Sequence, residues 1–393
     1  MTAELVPIVL EQLEHAMKGW SPSSSPARAP DLDGWQAMAE LRHRDAARVF
    51  RALEDASGEN RAFVATLYGR LGLAGEVARL LAEVGELDDS RRRFFVEAFE
   101  LAGDAARADE LAREPLDGRR ADAALACGSI DRARDLARRF AETLRPTATA
   151  ATFLYTAKVL ARAGDRDRAV ACARSAEQRI ADRLEKGDLT FDQGEIAASV
   201  AETYAELGAA ADALRVARAA LHVRKAPRPW FQPWAARLAL VHHACAQHAE
   251  ATRIAHAHVA AIEGDAAQAF EARAALLFAR IDARHDAHSL IYRPFVSPPA
   301  RRRRPYELDE LDELHAIYVE ARLVLGEIVE AFDHLGHIAD ACPRARALIA
   351  LARWLHAHDP PVTAPIRAAA QRLVDHRPMA VEDFCTVGGV CAR

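Results

Sequence analysis

Apolar side chains recur at helical spacing along most of the chain. The first such stretch covers residues 3–19 and has the apolar stripe of an amphipathic helix. The stripe consists of Leu5, Ile8, Val9, Leu13 and Met17. From residue 34 to about residue 376 one helical pattern follows another, without extended β-branched runs or Asn-Gly hairpin turns. The pattern therefore predicts an all-α protein.

Proline-rich segments interrupt this pattern. Residues 21–30 hold three prolines and four serines, which indicates a linker. Residues 226–234 and 293–305 are also too rich in proline to be helical throughout. The predicted organisation is an N-terminal helix with its linker (1–33), helical repeats (34–225), further helical repeats after a Pro/Trp-rich break (226–376) and a C-terminal tail (377–393).

A short polar turn, often Gly-Asp, recurs through the helical region, with alanine five residues after the glycine. The copies are Gly103 with Ala108, Gly128 with Ala133, Gly164 with Ala169, Gly208 with Ala213 and Gly326 with Ala331. Weaker copies begin at Gly72, Ala246 and near Ala283. Their intervals centre near the roughly 34 residues that two short helices and two turns need. A repeated helix pair is therefore predicted.

The positions around these glycines resemble the tetratricopeptide repeat. That pattern has a small residue seven before the glycine, a tyrosine or large apolar residue four before it, and alanines five and twelve after it. The Gly208 copy has Ala201, Tyr204, Ala213 and Ala220, and the Gly164 copy has Ala157, Leu160, Ala169 and Ala176. Val77 and Arg322 depart from the pattern.

The resemblance implies an α-solenoid of stacked antiparallel helix pairs, coiled as a right-handed superhelix. An irregular helical bundle is the alternative fold that the same pattern leaves open. In either case alanine and leucine supply most of the apolar residues, which make up 51% of the chain. Small side chains suit a core of closely packed helices, and alanine has the highest helix propensity.

The composition of the chain bears on its possible partners and on its location in the cell. A net charge of −5 gives no reason to expect a nucleic-acid partner. The preference for arginine over lysine suggests a GC-rich, bacterial genome. No apolar run is long enough to span a membrane, and Met1–Trp20 lacks the basic start of a signal peptide. The scattered cysteines fit a reduced, cytoplasmic protein.

Enzyme signatures are absent from the sequence. It contains no phosphate-binding loop, dinucleotide fingerprint, HExxH or GxSxG motif. We therefore predict no catalytic residue, no cofactor and no metal ligand. A metal-binding protein or enzyme stays open as an alternative, because His285 with His288 and His334 with His337 share helical faces.

Two further features are left without a role. Arg301 to Arg304 form a basic run between prolines, which is expected to be a solvated loop. The tail carries Cys385 and Cys391 with two glycines between them. A disulfide or a modified C-terminal peptide is sterically possible there, so a carrier of such a peptide is another alternative.

The resemblance also implies a binding surface, because the first helix of each repeat lines the ligand groove in that family. The residues that fall on the corresponding positions are Arg70, Arg93, Glu97, Lys158, Arg162, Glu202, Glu206, His243, Arg273, Arg280 and Glu320. Lys158 and Arg162 lie one turn apart and could hold a carboxylate by charge-assisted hydrogen bonds. We therefore expect a scaffold or adaptor that binds a protein or peptide segment, with acidic segments among the candidates.

Overall fold

The computed structural model of the 393-residue chain describes ten stretches of residues. These are residues 4–18, 30–43, 45–56, 61–112, 118–145, 147–186, 189–221, 233–260, 267–292 and 305–375. The described stretches contain 22 helices and no strand. The prediction of an all-α protein is therefore confirmed for this part of the chain. The arginine run at 301–304 and the cysteine tail lie outside the described residues.

The chain divides into two compact units, and the first consists of residues Asp45–Glu263. Fourteen helices belong to it. They are α3 (Ala46–Ala56), α4 (Arg61–Arg70), α5 (Ala74–Val84), α6 (Asp89–Leu101), α7 (Ala105–Leu111), α8 (Gly118–Ala126), α9 (Ile130–Thr143), α10 (Ala150–Arg162), α11 (Arg166–Gln178), α12 (Ala181–Lys186), α13 (Phe191–Glu206), α14 (Ala210–Leu221), α15 (Pro233–Ala244) and α16 (His248–Ala260). We call this the middle unit.

The second unit joins the two ends of the chain, Met1–Arg44 and Gly264–Arg393. Its helices are α1 (Leu5–Lys18), α2 (Pro30–Glu40), α17 (Ala267–Arg280), α18 (Arg284–Ile291), α19 (Pro305–Leu325), α20 (Ile328–Gly336), α21 (Ala341–His358) and α22 (Ala364–Asp375). We call this the terminal unit. Helix α2 begins at Pro30, four residues earlier than the sequence pattern indicates, because proline is well tolerated in the first turn of a helix.

Most turns between paired helices share one backbone structure. Around Gly128, the Gly128 N–H donates to Leu125 O at 3.0 Å and the Ser129 N–H donates to Ala124 O at 2.8 Å. This is the Schellman arrangement, which requires a left-handed residue just after the helix. We call that residue the reversal residue and count positions in each pair from it. Between paired helices, the described reversal residues with this bonding are Gly72, Gly103, Gly128, Gly164, Gly208, Ala246, Asp282 and Gly326, and Arg42 has the same bonding at the end of α2.

Burial follows the same numbering. The small side chains at position +5 have no solvent exposure, and the residues at positions −7 and −4 are also buried. The +5 residues are Val77, Ala108, Ala133, Ala169, Ala213, Ala251, Ala287 and Ala331. A small side chain at +5 lets the second helix of a pair approach the first closely. The repeated spacing thus defines the buried face of each pair.

Packing in the middle unit links successive pairs through their first helices. Helix α4 packs on α6, α6 on α8, α8 on α10, α10 on α13 and α13 on α15, in addition to the contacts within each pair. In the terminal unit, α17 packs on α19 and α19 on α21, and α21 also packs on α1 and α2. The first helices therefore run next to one another within each unit.

A polar contact recurs between neighbouring pairs of the middle unit. The Tyr204 hydroxyl, at position −4, donates to Glu177 Oε2 at 2.8 Å, and Arg215, at position +7, donates to both oxygens of the same carboxylate at 2.6 and 3.1 Å. Tyr68 and Arg79 hold these two positions around Gly72 and share one carboxylate in the same way. That carboxylate belongs to Glu54. Glu54 lies in α3, the helix just before α4, and Glu177 lies in α11, the second helix of the pair before α13.

Position −4 also shows two polar replacements. Arg322 is buried and donates to Glu327 and to the Tyr292 hydroxyl, the latter at 3.0 Å. His242 has no solvent exposure, and no described residue forms a hydrogen bond with either of its ring nitrogens. Position −4 thus accepts a polar side chain both where described partners surround it, as at Arg322, and where no described residue bonds to it, as at His242.

The shared turn predicts opposite effects for two substitutions. Gly128→Ala places a side chain in a left-handed residue with φ of 88°, where nothing lies within 4 Å of the added Cβ. Ala246→Gly relieves the same strain at an exposed residue with φ of 59°. We expect Gly128→Ala to destabilise its pair by about 1 kcal/mol and Ala246→Gly to stabilise its own by up to about 1 kcal/mol.

Native-state hydrogen exchange of α8 with α9 and of α15 with α16 measures these local opening free energies. Gly75→Ala is the control, since Gly75 has no positive φ and open space for a Cβ. Equal effects of Gly128→Ala and Gly75→Ala would contradict the role of the left-handed residue.

Candidate functional site

The exposed face of α10 carries the strongest group of candidate residues. Helix α10 begins after Thr149, whose side chain accepts a hydrogen bond from the Thr152 N–H at 3.2 Å, and it ends before the reversal residue Gly164. Tyr155, Lys158 and Arg162 follow one another at spacings of three and four residues. They therefore lie on one face of the helix.

Each of the two cations on this face pairs with a carboxylate on a neighbouring first helix. Arg162 Nη1 lies 2.6 Å from Asp122 Oδ1 of α8, and Lys158 Nζ lies 3.5 Å from Glu206 Oε1 of α13. The side chains of Arg162 and Asp122 are 60% and 45% exposed, and those of Lys158 and Glu206 are 41% and 55% exposed. Ion pairs this exposed contribute little to stability, because water screens them.

The residues of these ion pairs occupy two recurring positions relative to the reversal residues. Asp122 and Lys158 occupy position −6 of their pairs, and Arg162 and Glu206 occupy position −2. In the terminal unit, Arg280 at position −2 pairs with Glu320 at position −6, with 3.3 Å between Nη2 and Oε2. The same two positions thus carry exposed charges that meet between neighbouring first helices in both units.

A denser polar cluster lies between α13 and α15. Arg237 donates to Glu202 at 2.5 and 2.7 Å, to Glu195 Oε2 at 2.6 Å and to Ser199 Oγ at 2.8 Å. The hydrogen bond to Glu202 is the main reason that the pKa of Arg237 is raised. Its guanidinium is more buried and has more partners than Lys158 or Arg162, so it is fixed in place.

The other predicted groove residues are spread over both units. Arg70 is half-buried at the end of α4, and Arg93 is exposed on α6. His243 Nδ1 lies 3.0 Å from His248 Nδ1, between α15 and α16. Arg273 and Arg280 belong to α17 of the terminal unit. Of the predicted residues, Lys158 contacts Glu206 and Arg162 lies one turn further along α10, whereas Glu202 pairs with Arg237 and the others lie in smaller groups.

Sequence reasoning missed three residues of this surface. Asp122 is at position −6, where Lys158 and Glu202 were recognised, so the same rule could have found it. Tyr155 and Arg237 both lie at position −9, which the rule did not include. The exposed ring of Tyr155, 38% accessible, is one of the few large apolar side chains exposed in the described residues.

The histidine pairs of the terminal unit do not form the set that their spacing suggested. His288 Nε2 contacts Glu327 Oε1 at 2.7 Å, whereas His285 is exposed. His334 Nδ1 contacts His315 Nδ1 at 3.1 Å, and the His337 ring centroid lies 5.1 Å from that of His315. Among the described residues, no group of three or more His, Cys, Asp or Glu side chains is arranged to hold a metal ion.

Burial keeps the histidines at this contact neutral. It lowers the pKa of His315 to about 4 and that of His334 to about 3, and the neighbouring histidine adds to each shift. One Nδ1 then donates a proton and the other accepts it. Protonation of either ring removes the acceptor or places a charge in a half-buried site, so this contact favours neutral pH.

Comparison with known proteins does not place this surface in a family. No protein-family model matches the chain, and no curated protein matches it. Within the described stretches, no helix is long and apolar enough to cross a membrane.

His242 provides a test of the buried polar positions. Burial lowers its pKa below the ordinary value. A lowered folded pKa means that the unfolded chain binds the proton more tightly. The contribution that neutral His242 makes to the free energy of unfolding is therefore fully present above its unfolded pKa of about 6.5. It is lost as the pH falls through the pKa of His242 in the folded chain. We expect His242→Leu to stabilise the chain by about 1–2 kcal/mol at neutral pH, because two unpaired nitrogens leave the core.

The measurement is thermal unfolding of the full chain at pH 8 and pH 5. His242→Leu is expected to reduce the fall in melting temperature between the two conditions, and the exposed His285→Gln is the control. A His242→Leu variant less stable than the wild type at both pH values would show that the imidazole makes a favourable contact.

Proposed function

We propose that the chain is a protein-binding scaffold whose binding surface is the exposed face of α8, α10 and α13. In this proposal the helix pairs of each unit stack side by side as tetratricopeptide-like repeats, so that their first helices form one continuous face. The repeated Schellman turns and the packing of first helix on first helix support that arrangement. No enzyme chemistry is part of the proposal.

The observation that carries the proposal is the exposure of the charges at positions −6 and −2. Lys158, Arg162, Asp122 and Glu206 are at least two-fifths exposed, although they lie on helices whose other faces are buried. Weak, exposed ion pairs can exchange partners at low cost. Tyr155 adds an accessible ring to the same face, and tyrosine is enriched among the residues that dominate binding energies.

The terminal unit uses the same two positions, but there the earlier helix supplies position −2 and the later helix position −6. Arg280 and Glu320 pair across α17 and α19, and Arg273 is exposed on α17. We therefore place the main binding face in the middle unit. The partner is a protein or peptide segment, since paired carboxylates among the cations would repel a phosphate backbone.

A peptide-display selection against the full chain tests this function. We expect enriched peptides to bind the wild type, to protect α8, α10 and α13 from hydrogen exchange, and to lose about tenfold in affinity for Lys158→Glu with Arg162→Glu, because both cations of the face are reversed. The matched control reverses two exposed arginines of α11, Arg168→Glu with Arg174→Glu, and should leave binding unchanged.

Two results would refute the assignment. Enriched peptides that bind the Lys158/Arg162 variant as tightly as the wild type would place the site elsewhere. A selection that enriches no peptide for this face would remove the proposed function.

A further inference from the structure

The three helices of the proposed face present charges in a fixed order. Asp122 of α8 is acidic, Lys158 and Arg162 of α10 are basic, and Glu206 of α13 is acidic. Because α10 packs on both α8 and α13, the two cations lie between the two carboxylates. The face as a whole has no net charge from these four residues, so its specificity comes from the order of charges.

The length of each side chain determines how far its charged group can reach toward a bound segment. Asp122 and Glu206 are short and stay close to their own helices. Lys158 and Arg162 are long and exposed, and each has donors beyond those used in its present ion pair. The two cations can therefore turn toward a shared carboxylate above α10 while Asp122 and Glu206 accept new cations.

Helix packing sets the spacing of the complementary charges. Axes of packed helices lie about 8–10 Å apart, so Asp122 and Glu206 are separated by roughly two such spacings. An extended chain advances about 3.3 Å per residue, and two helix spacings correspond to about six residues. A peptide acid placed over α10 would then lie about three residues along the peptide from each of the two peptide bases that reach Asp122 and Glu206.

From this we propose that the face of α8, α10 and α13 binds an extended protein segment with a basic side chain, an acidic one about three residues later and a second basic one about three residues after that. This inference rests on the proposed function and adds the chemistry of the partner. The acid is held by Lys158 and Arg162, and the two bases by Asp122 and Glu206. An apolar residue next to the acid packs on the Tyr155 ring.

The neighbouring cluster marks one end of the site. Arg237 already has Glu195, Glu202 and Ser199 as partners and is half-buried among them. Turning it toward a ligand would leave two half-buried carboxylates without a cation, which is costly. The segment is therefore expected to end at α13 and not to continue across α15.

Charge exchange between protein and peptide tests the order directly. The probe is a seven-residue peptide with Lys, Glu and Lys at its first, fourth and seventh positions, separated by Gly and Ser. Its inverted counterpart carries Glu, Lys and Glu at those positions. Fluorescence anisotropy with the full chain should show about tenfold tighter binding of the first peptide, and the difference should shrink at high salt.

The decisive variant inverts the face and keeps its ion pairs: Asp122→Arg, Lys158→Glu, Arg162→Asp and Glu206→Lys. Because each internal pair is restored with opposite sign, the variant should unfold at the wild-type temperature. We expect its preference to reverse in favour of the Glu-Lys-Glu peptide. Peptides with the central charge moved by one residue in either direction should bind the wild type more weakly than the original.

The outcomes separate this inference from the function on which it rests. If the inverted variant keeps the wild-type preference, or if the wild type does not distinguish the two peptides, the charge order is wrong. Peptides selected by display would still bind and protect the α8–α10–α13 face if the scaffold function is right. If the wild type shows no preference between the two charge-ordered peptides and display also selects no peptide for this face, both proposals are wrong.

Discussion

One backbone constraint underlies the described structure: a helix that ends at a single left-handed residue, followed five positions later by a small buried side chain. The two hydrogen bonds of the turn satisfy carbonyl groups that would otherwise lack partners at the helix end. They also fix where the next helix begins. The second helix can then lie close to the first only if the side chain at position +5 is small, and all the described examples are alanine or valine.

This constraint separates positions that must be apolar from positions that are free to vary. Positions −7, −4 and +5 are buried in pair after pair, whereas −6 and −2 reach solvent on the first helix wherever they carry the charges discussed above. Arg322 and His242 show how far position −4 tolerates exceptions. Arg322 is accommodated by Glu327 and Tyr292, which restore hydrogen bonds, while His242 has no partner among the described residues and burial lowers its pKa.

The polar contacts between pairs divide into two classes with different consequences. Glu177 with Tyr204 and Arg215 joins a hydroxyl and a guanidinium at one carboxylate, and burial together with this hydrogen bond raises the pKa of Tyr204. Such contacts fix the arrangement of neighbouring pairs. The ion pairs made by Lys158 and Arg162 are exposed and have single partners, and it is these pairs that the proposed function has exchange with a bound segment.

The sequence by itself determined the helical class, the turns and the buried small positions, because helical periodicity and the glycine-to-alanine spacing are local properties of the chain. It also identified Lys158 and Arg162 as neighbours on one face. Only the tertiary structure decided that these cations pair with Asp122 and Glu206. It alone decided that Arg237 of α15 binds carboxylates of α13. It also decided that α1 and α2 pack on α21, more than 300 residues away. Such contacts depend on which helices become neighbours in space, and the spacing of residues along one helix carries no information about that.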